Sequence, residues 1–344
     1  MNAAPADLRR WLTARLMALC AAETTSGAED AGLPMLRQLL QELGARVVEQ
    51  PVAEGRTNVL ALWGVPRVLF STHLDTVPPY FLPRIEGETL IGRGACDAKG
   101  QIVAQLAAVK TLLDEGREGL AWLGVVGEET DSAGATAALG LAGHLQGLKA
   151  LINGEPTELK LAAGQRGVQQ IRLRCEGRAA HSGSPELGRN ATWPLLDWLQ
   201  RLRQQPRPVD GRLGPELWNL GLLQAGEALN SVPASAEAHL LVRTVPGSTF
   251  LDEVRRLAPP EGDLELRLDE PADLYPALPG FDLAPMPFGS DAPALRALVP
   301  DRTVVLAGPG SIAVAHTLDE HLTLADLEAG VDLNRRLALH FLGD

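Results

Sequence analysis

The chain has 344 residues, more than one hydrophobic core ordinarily serves, so a large domain and a smaller one are expected. Hydrophobic residues make up 45% and charged residues 22%, and a formal net charge of −12 argues against a general nucleic-acid or anionic-membrane binder. An anionic substrate stays open, because a metal site reverses the local field.

Cys20, Cys96 and Cys175 stand far apart with no CxxC spacing, so neither a disulfide framework nor a thiolate zinc site is expected. The N-terminus carries charges where a signal peptide needs its apolar stretch, and no apolar run approaches a membrane span. A soluble, cytoplasmic protein is the expectation.

Residues 7–22 repeat Leu8, Leu12, Leu16 and Leu19 at helical spacing. A second helix over roughly 31–43 ends at Gly44, a good C-cap. Short strands follow at 46–49, 57–63 and 67–71, the last stopping just before His73. After GRGACDAKG a helix runs from about Gly100 to Leu113, with Ile102, Leu106, Val109 and Leu113 as its apolar stripe. Residues 120–126 form a strand ending at a Glu pair, and the next helix takes Asp131 or Ser132 as N-cap. ALIN (150–153) is a strand ending at GEPT. The same unit thus occurs three times: buried strand, polar loop with an acid or His, helix. Chemistry at strand ends suits a helix-covered sheet.

The pattern changes near Gly164. A half-wet strand (168–177), a helix (191–204), strands at 218–224 and 236–244, a helix near 249–257 and a strand at 263–269 read as an inserted α+β unit. The Pro-rich stretch 271–287 reads as a return linker. A last strand (TVVLAG), the GPGS loop, His316 and a closing helix (323–342) complete the chain. The expected fold is α/β: a mixed sheet covered by helices, residues 1–164 and 277–344, with residues 165–276 inserted as a lid or dimerisation domain.

Six residues in these loops form a chemical set: His73 (STHLDTVP), Asp97 (GRGACDAKG), Glu128 and Glu129 (VVGEETDS), Glu155 (NGEPTE) and His316 (AVAHTLDE). A pair of zinc ions needs imidazoles, a bridging carboxylate, further carboxylates and a free one as base. Each piece alone has a plainer reading. His73 could be a satisfied strand-end group, Asp97 a helix N-cap, the Glu pair a solvated face, and Glu155 an exposed turn. A metal-bound His73 needs its second nitrogen held, by Asp75 or by a carbonyl. His144 and His340 read as helix-surface residues, and His239 shares a strand face with Arg243. No HExxH links His316 to His321.

HLDTVPP, GRGACDAKG, the Glu pair, GEPT, GRAAHSGSPELGRNA, NSVPA and RTVPG occur in order along nearly the whole chain. Together they resemble the zinc aminoacylase and exopeptidase family that includes acetylornithine deacetylase, succinyl-diaminopimelate desuccinylase, aminoacylase and carboxypeptidase G. The resemblance implies two zinc ions, with cobalt or manganese as possible substitutes. His73, Asp97 and Glu155 would hold one, Asp97, Glu129 and His316 the other. Glu128 would be the general base and Asp75 the support of His73. His181 would stabilise the oxyanion, reaching across in a homodimer formed through the inserted domain. Arg243 and Asn230 would bind the substrate carboxylate, with Gly308 and Gly310 lining the pocket. A cis peptide is implied at Asp97–Ala98.

Two departures stand out. Gly127 replaces a frequent acidic residue before the Glu pair, and Thr130-Asp131 replace a frequent glycine after it. The chain is also compact, so short lid loops are expected. The resemblance implies amide hydrolysis of an N-acyl amino acid, first deacetylation of an ornithine-like one. Alternatives are desuccinylation, release of lysine or ornithine from an amino-group carrier protein, dipeptidase or carboxypeptidase action, and a non-catalytic relic binding protein.

Overall fold

The computed structural model describes residues 5–299 and 303–343. Its main strands are β1 (Arg46–Ala53), β2 (Arg56–Trp63), β3 (Val68–His73), β4 (Leu120–Val125), β5 (Ala150–Asn153), β6 (Gly167–Glu176), β7 (Leu217–Ala225), β8 (Ser235–Thr244), β9 (Gly262–Glu270) and β10 (Val304–Leu306). The main helices are α1 (Pro5–Cys20), α2 (Leu33–Glu42), α3 (Lys99–Asp114), α4 (Ala133–Ala138), α5 (Thr192–Arg203), α6 (Phe250–Leu257) and α7 (Leu324–Leu342). The fold is mixed α/β in two compact units. One comprises Met1–Ala162, Tyr275–Ala284 and Ser290–Asp344, the other Ala163–Leu274 and Pro285–Gly289.

The first unit is built on a six-stranded sheet ordered β1-β2-β4-β3-β5-β10. β1, β2 and β4 pair antiparallel, whereas β4, β3, β5 and β10 run parallel. Strands β3, β4, β5 and β10 are buried along their whole length. That is why each begins as an apolar run, with polar residues only toward the C-terminal ends of β3 and β5: helices cover both faces of a parallel sheet. α1, α2, α3 and α7 supply Leu12, Leu16, Leu36, Leu39, Leu106, Val109, Leu327 and Leu337 to its core. The stripe expected on α3, Ile102, Leu106, Val109 and Leu113, packs in this core, and burial extends beyond it. Lys99 through Val109 are all buried, because the helix lies deep in the unit. Its glutamines bond to the surrounding backbone and side chains: Gln105 donates to the Ser71 carbonyl and accepts from Trp122 Nε1, each at 2.9 Å, and Gln101 donates to the Cys96 and Pro309 carbonyls at 3.0 and 2.8 Å.

The second unit is a four-stranded antiparallel sheet ordered β7-β8-β6-β9. α5 and α6 cover one face with Trp198, Leu195, Phe250 and Val254 against Ile171, Leu173, Ala238 and Leu240. β8 alternates buried and half-buried residues along its length, as a sheet with one wet face requires. The return stretch is not a free linker. Asp273–Leu274 pairs with Gly164–Gln165 and Leu283–Ala284 with Leu161–Ala162, so backbone hydrogen bonds anchor it. Pro285–Gly289, expected in the larger domain, belongs to the second unit. Among the described residues no helix is long and apolar enough to cross a membrane.

Candidate metal centre

The four parallel strands of the first unit end on one edge of the sheet, and the loops leaving them carry the expected ligands. His73 is the last residue of β3 and is buried. Its Nδ1 lies 2.9 Å from the carbonyl oxygen of Asp75 and 3.4 Å from that residue's carboxylate. The nearer contact makes Nδ1 a donor to the carbonyl and leaves Nε2 as the ligand nitrogen. Nε2 is 2.9 Å from Asp97 Oδ1.

The Asp75 carboxylate has a second task. It accepts the N–H groups of Glu128 and Glu129 at 3.2 and 3.1 Å and the Ser26 hydroxyl at 2.7 Å. It therefore ties the loop after β4 to the end of β3.

Asp97 is buried and joined to Ala98 by a cis peptide. The N-cap reading fails: α3 begins at Lys99, Ala98 is its N-cap, and no side chain caps it. What holds the Asp97 segment is Glu320. Its Oε1 accepts the N–H groups of Cys96 and Asp97 at 3.2 and 3.0 Å, and its Oε2 pairs with Arg93 at 2.6 Å. Both Arg93 and Glu320 are fully buried.

His316 adopts φ +64° and brings Nε2 to 2.9 Å from Glu129 Oε1 and 3.4 Å from Asp97 Oδ2. The ligand atoms of His73, Asp97 and Glu129 all lie within 4.8 Å of one another. Glu155 is buried just beyond β5, with Asn153 Nδ2 3.5 Å from its Oε1.

The ionisable groups of the cluster perturb one another strongly. Burial pushes the Glu155 carboxyl well above its usual range, and the Glu128 charge pushes it further. Burial likewise raises Glu128, with added repulsion from Asp291, Asp97 and Glu129. Burial opposes a charged His73, yet its bonds to Asp75 and Asp97 hold it well above the usual imidazole value. His316 is raised to about 10 by its bonds to Asp97 and Glu129. Crowded carboxylates out of water call for compensating cations. The donors are imidazole nitrogens and carboxylate oxygens, a set that suits a divalent first-row metal. The Cys96 Sγ is turned to the Ser311 carbonyl at 3.5 Å. The residues present fit a metal centre.

The remaining candidates divide. His181, Asn230 and Arg243 belong to the second unit. His181 Nδ1 accepts the Gly183 N–H at 3.1 Å, which leaves its proton on Nε2. Ser182 donates its N–H to the Asn230 carbonyl at 2.9 Å, so those two motifs are neighbours. Arg243 is half-buried on β8. Gly308 does not line an open pocket. It is buried, and a Cβ there would lie 1.9 Å from Gln101 Oε1 and 2.6 Å from the Glu155 carbonyl. Its role is close packing beneath the Glu155 loop, which it also binds through Thr157 at 2.9 Å. Gly310 is half-buried at φ +84° and accepts the Glu158 N–H. Glu320, Arg93, Ser26 and Asp291 were not anticipated. The only sequence signals were the Arg within GRG and the acid four residues after His316. His144 and His340 are exposed, the former on a 3-10 turn.

Comparison with known proteins matches this arrangement. The sequence profile of peptidase family M20/M25/M40 matches residues 69–340. A probable carboxypeptidase of Aspergillus clavatus is 34% identical over 347 residues, covering 90% of this chain and 83% of the relative. Among solved structures, aminopeptidase PepT from Bacillus cereus superposes with a TM-score of 0.80 at 17% identity, covering 96% of this chain and 99% of that one. The Bacillus subtilis protein YXEP, described as a dinuclear metal binding peptidase from the M20 family, gives 0.72 at 16%, covering 97% and 99%.

Proposed function

Because this chain belongs to peptidase family M20/M25/M40, a family of metal-dependent hydrolases, we propose that it is a dizinc carboxypeptidase or dipeptidase that releases an amino acid bearing a free α-carboxylate. The observation that carries this reading is the convergence of His73, Asp97, Glu129 and His316, with Glu128 and Glu155, on one sheet edge. In it, His73, Asp97 and Glu155 would hold one zinc and Asp97, Glu129 and His316 the other. Bound zinc supplies Lewis acidity and acidifies a water toward neutrality.

The chain's own residues do the rest. Glu128 takes the proton from the attacking water on its carboxylate and passes it to the leaving amine nitrogen. Its burial keeps its basicity above that of an ordinary carboxylate. His181 donates from Nε2 to the oxygen that gains charge. Arg243 clamps the substrate carboxylate with its planar fork, and Asn230 assists. Among the described residues no hydrogen bond or ion pair occupies that guanidinium, which leaves it open to a ligand. The ornithine deacetylation expected first draws no support from the relatives, whose names point to carboxypeptidases.

A homodimer through the second unit fits the same reading. β7 is an edge strand nine residues long, exposed along nearly all its length, with Leu217, Leu220, Leu222 and Leu223 on it. An uncovered apolar edge invites pairing with a second copy.

The test is a panel of dipeptides, their C-terminal amides, and N-acetyl and N-succinyl amino acids, run with zinc-loaded enzyme. Cleavage of free-carboxylate dipeptides but not of their amides supports the proposal. Equal cleavage of the amides, or action on acetyl amino acids alone, overturns it. Glu128→Gln should retain zinc and lose about 100-fold or more in kcat; near-normal turnover would remove Glu128 as base.

A further inference from the structure

Resting on the reading of Glu128 and Glu129 as base and ligand, we propose that Arg56 is a positioning residue for this pair. It acts through Asp131 and Glu29.

The argument starts from register. β2 and β4 pair antiparallel with Val59 opposite Gly124 and Trp63 opposite Leu120. Continuing that register past the end of β4 sets Val125 opposite Asn58 and Gly127 opposite Arg56. Residues 56 and 58 share one side of β2 by period two. Both are spent on the loop that carries the glutamates. Asn58 accepts the Val126 N–H at 3.1 Å and donates to the Gly134 carbonyl at 2.8 Å. Arg56 holds the stretch between. Its Nη1 and Nη2 meet the two oxygens of Asp131 at 3.1 and 3.0 Å, a bidentate fork.

Gly127 makes room for this grip. A Cβ there would sit 1.8 Å from Arg56 Nη2 and 2.5 Å from Asp131 Oδ1. The residue also adopts φ +78°, and its carbonyl accepts the N–H groups of Thr130, Asp131 and Ser132. The loop is therefore wound around one peptide that the guanidinium abuts.

Arg56 is anchored from behind. Its Nε contacts Glu29 Oε1 at 3.2 Å, and Glu29 is fully buried with Oε2 accepting the Gly27 N–H at 2.9 Å. Three residues earlier, Ser26 donates to Asp75, which accepts the N–H groups of Glu128 and Glu129. One segment, 26–29, thus fixes the loop twice: at the glutamates through Asp75 and at Asp131 through Arg56. An isolated surface pair would do little, and Asp131 is half exposed. A fork backed by a buried carboxylate is a rigid support instead.

The test uses Asp131→Asn, Arg56→Gln and the double variant, read by hydrogen–deuterium exchange of metal-free protein and by Co2+ titration followed by its visible absorption. Each single variant should speed exchange over residues 127–132 by about tenfold, leaving β3 and α3 unchanged, and the double should add nothing. Co2+ should bind about tenfold more weakly at the Glu129 site in both. Arg56→Lys, which keeps charge without the fork, should fall between. Unchanged loop exchange in Asp131→Asn, or single effects that multiply in the double, overturns the proposal. Should Arg56→Gln strand Glu29 and cost the fold, Asp131→Asn carries the test alone from the surface. Wild-type protein that cleaves no peptide defeats the functional reading, while the exchange result stands or falls without turnover.

Discussion

Glu320→Gln probes the support beneath the bridging carboxylate. The wild-type carboxylate does three things at once. It accepts the N–H groups of Cys96 and Asp97 on one oxygen and pairs with Arg93 at 2.6 Å on the other, entirely out of water. Glutamine preserves the volume but keeps only one acceptor oxygen. Turned either way, its NH2 group faces the Arg93 guanidinium or the two backbone donors. Removing one charge of a buried pair costs about 3–5 kcal/mol, so urea denaturation of the metal-free variant should show a loss of roughly 3 kcal/mol. Slackening the peptide that carries Asp97 should also weaken metal binding by about 10–100-fold, read by competition with a chromophoric chelator. A second variant separates the two effects. Replacing Arg93 and Glu320 together by methionine removes both charges and should recover much of the stability. It still leaves the Cys96 and Asp97 N–H groups without an acceptor, so metal affinity should stay low. Wild-type affinity in the double variant, or Glu320→Gln matching the wild type in both assays, refutes the reasoning.

The metal-free fold and the increment it gains from zinc should respond to pH in opposite ways. His316 is lifted from 6.5 to about 10 by Asp97 and then Glu129, so its contribution to metal-free stability is complete below 6.5 and is lost as pH rises through about 10. Burial raises Glu155 and Glu128 as well, and their ionisation weakens the metal-free fold in the same direction. The Tm of chelated protein should therefore fall across this window, while the increment from added zinc grows, because bound imidazole must be neutral. A chelated Tm that climbs with pH contradicts the assignment. At the edge of the second unit, Leu222→Lys places a charge on an exposed strand position and should convert the proposed homodimer to monomer in analytical ultracentrifugation, where the wild type should sediment as the dimer. An unchanged dimer would show that pairing does not use β7.

What the sequence made legible follows from physics acting locally. Buried parallel strands must be apolar throughout, so β3, β4 and β5 announced themselves, and the polar residue ending each run marked the edge where ligands gather. Asp97 was ambiguous for a local reason too: an acid before a helix looks like a cap, and only the placement of Ala98 at the N-cap removed that reading. The helix after the Glu pair starts at one of the two N-cap positions expected. Ser132 occupies the N-cap at φ +50° without capping, while Asp131 takes the Ala133 N–H at 3.1 Å.

What stayed hidden is of a different kind. A metal restricts the identity of its ligands to a few residue types, so ligands form recognisable motifs. A residue that only holds a backbone in place needs reach and charge, and several positions can provide them. Here a carboxylate at 131 does its work through an arginine on β2, and Glu320 supports Asp97 from the far side of the chain. Neither spacing has a period or a signature. Both become visible only once strand register brings distant segments together, which is why Gly127 looked like a defect in a motif and proves to be the space that Arg56 fills.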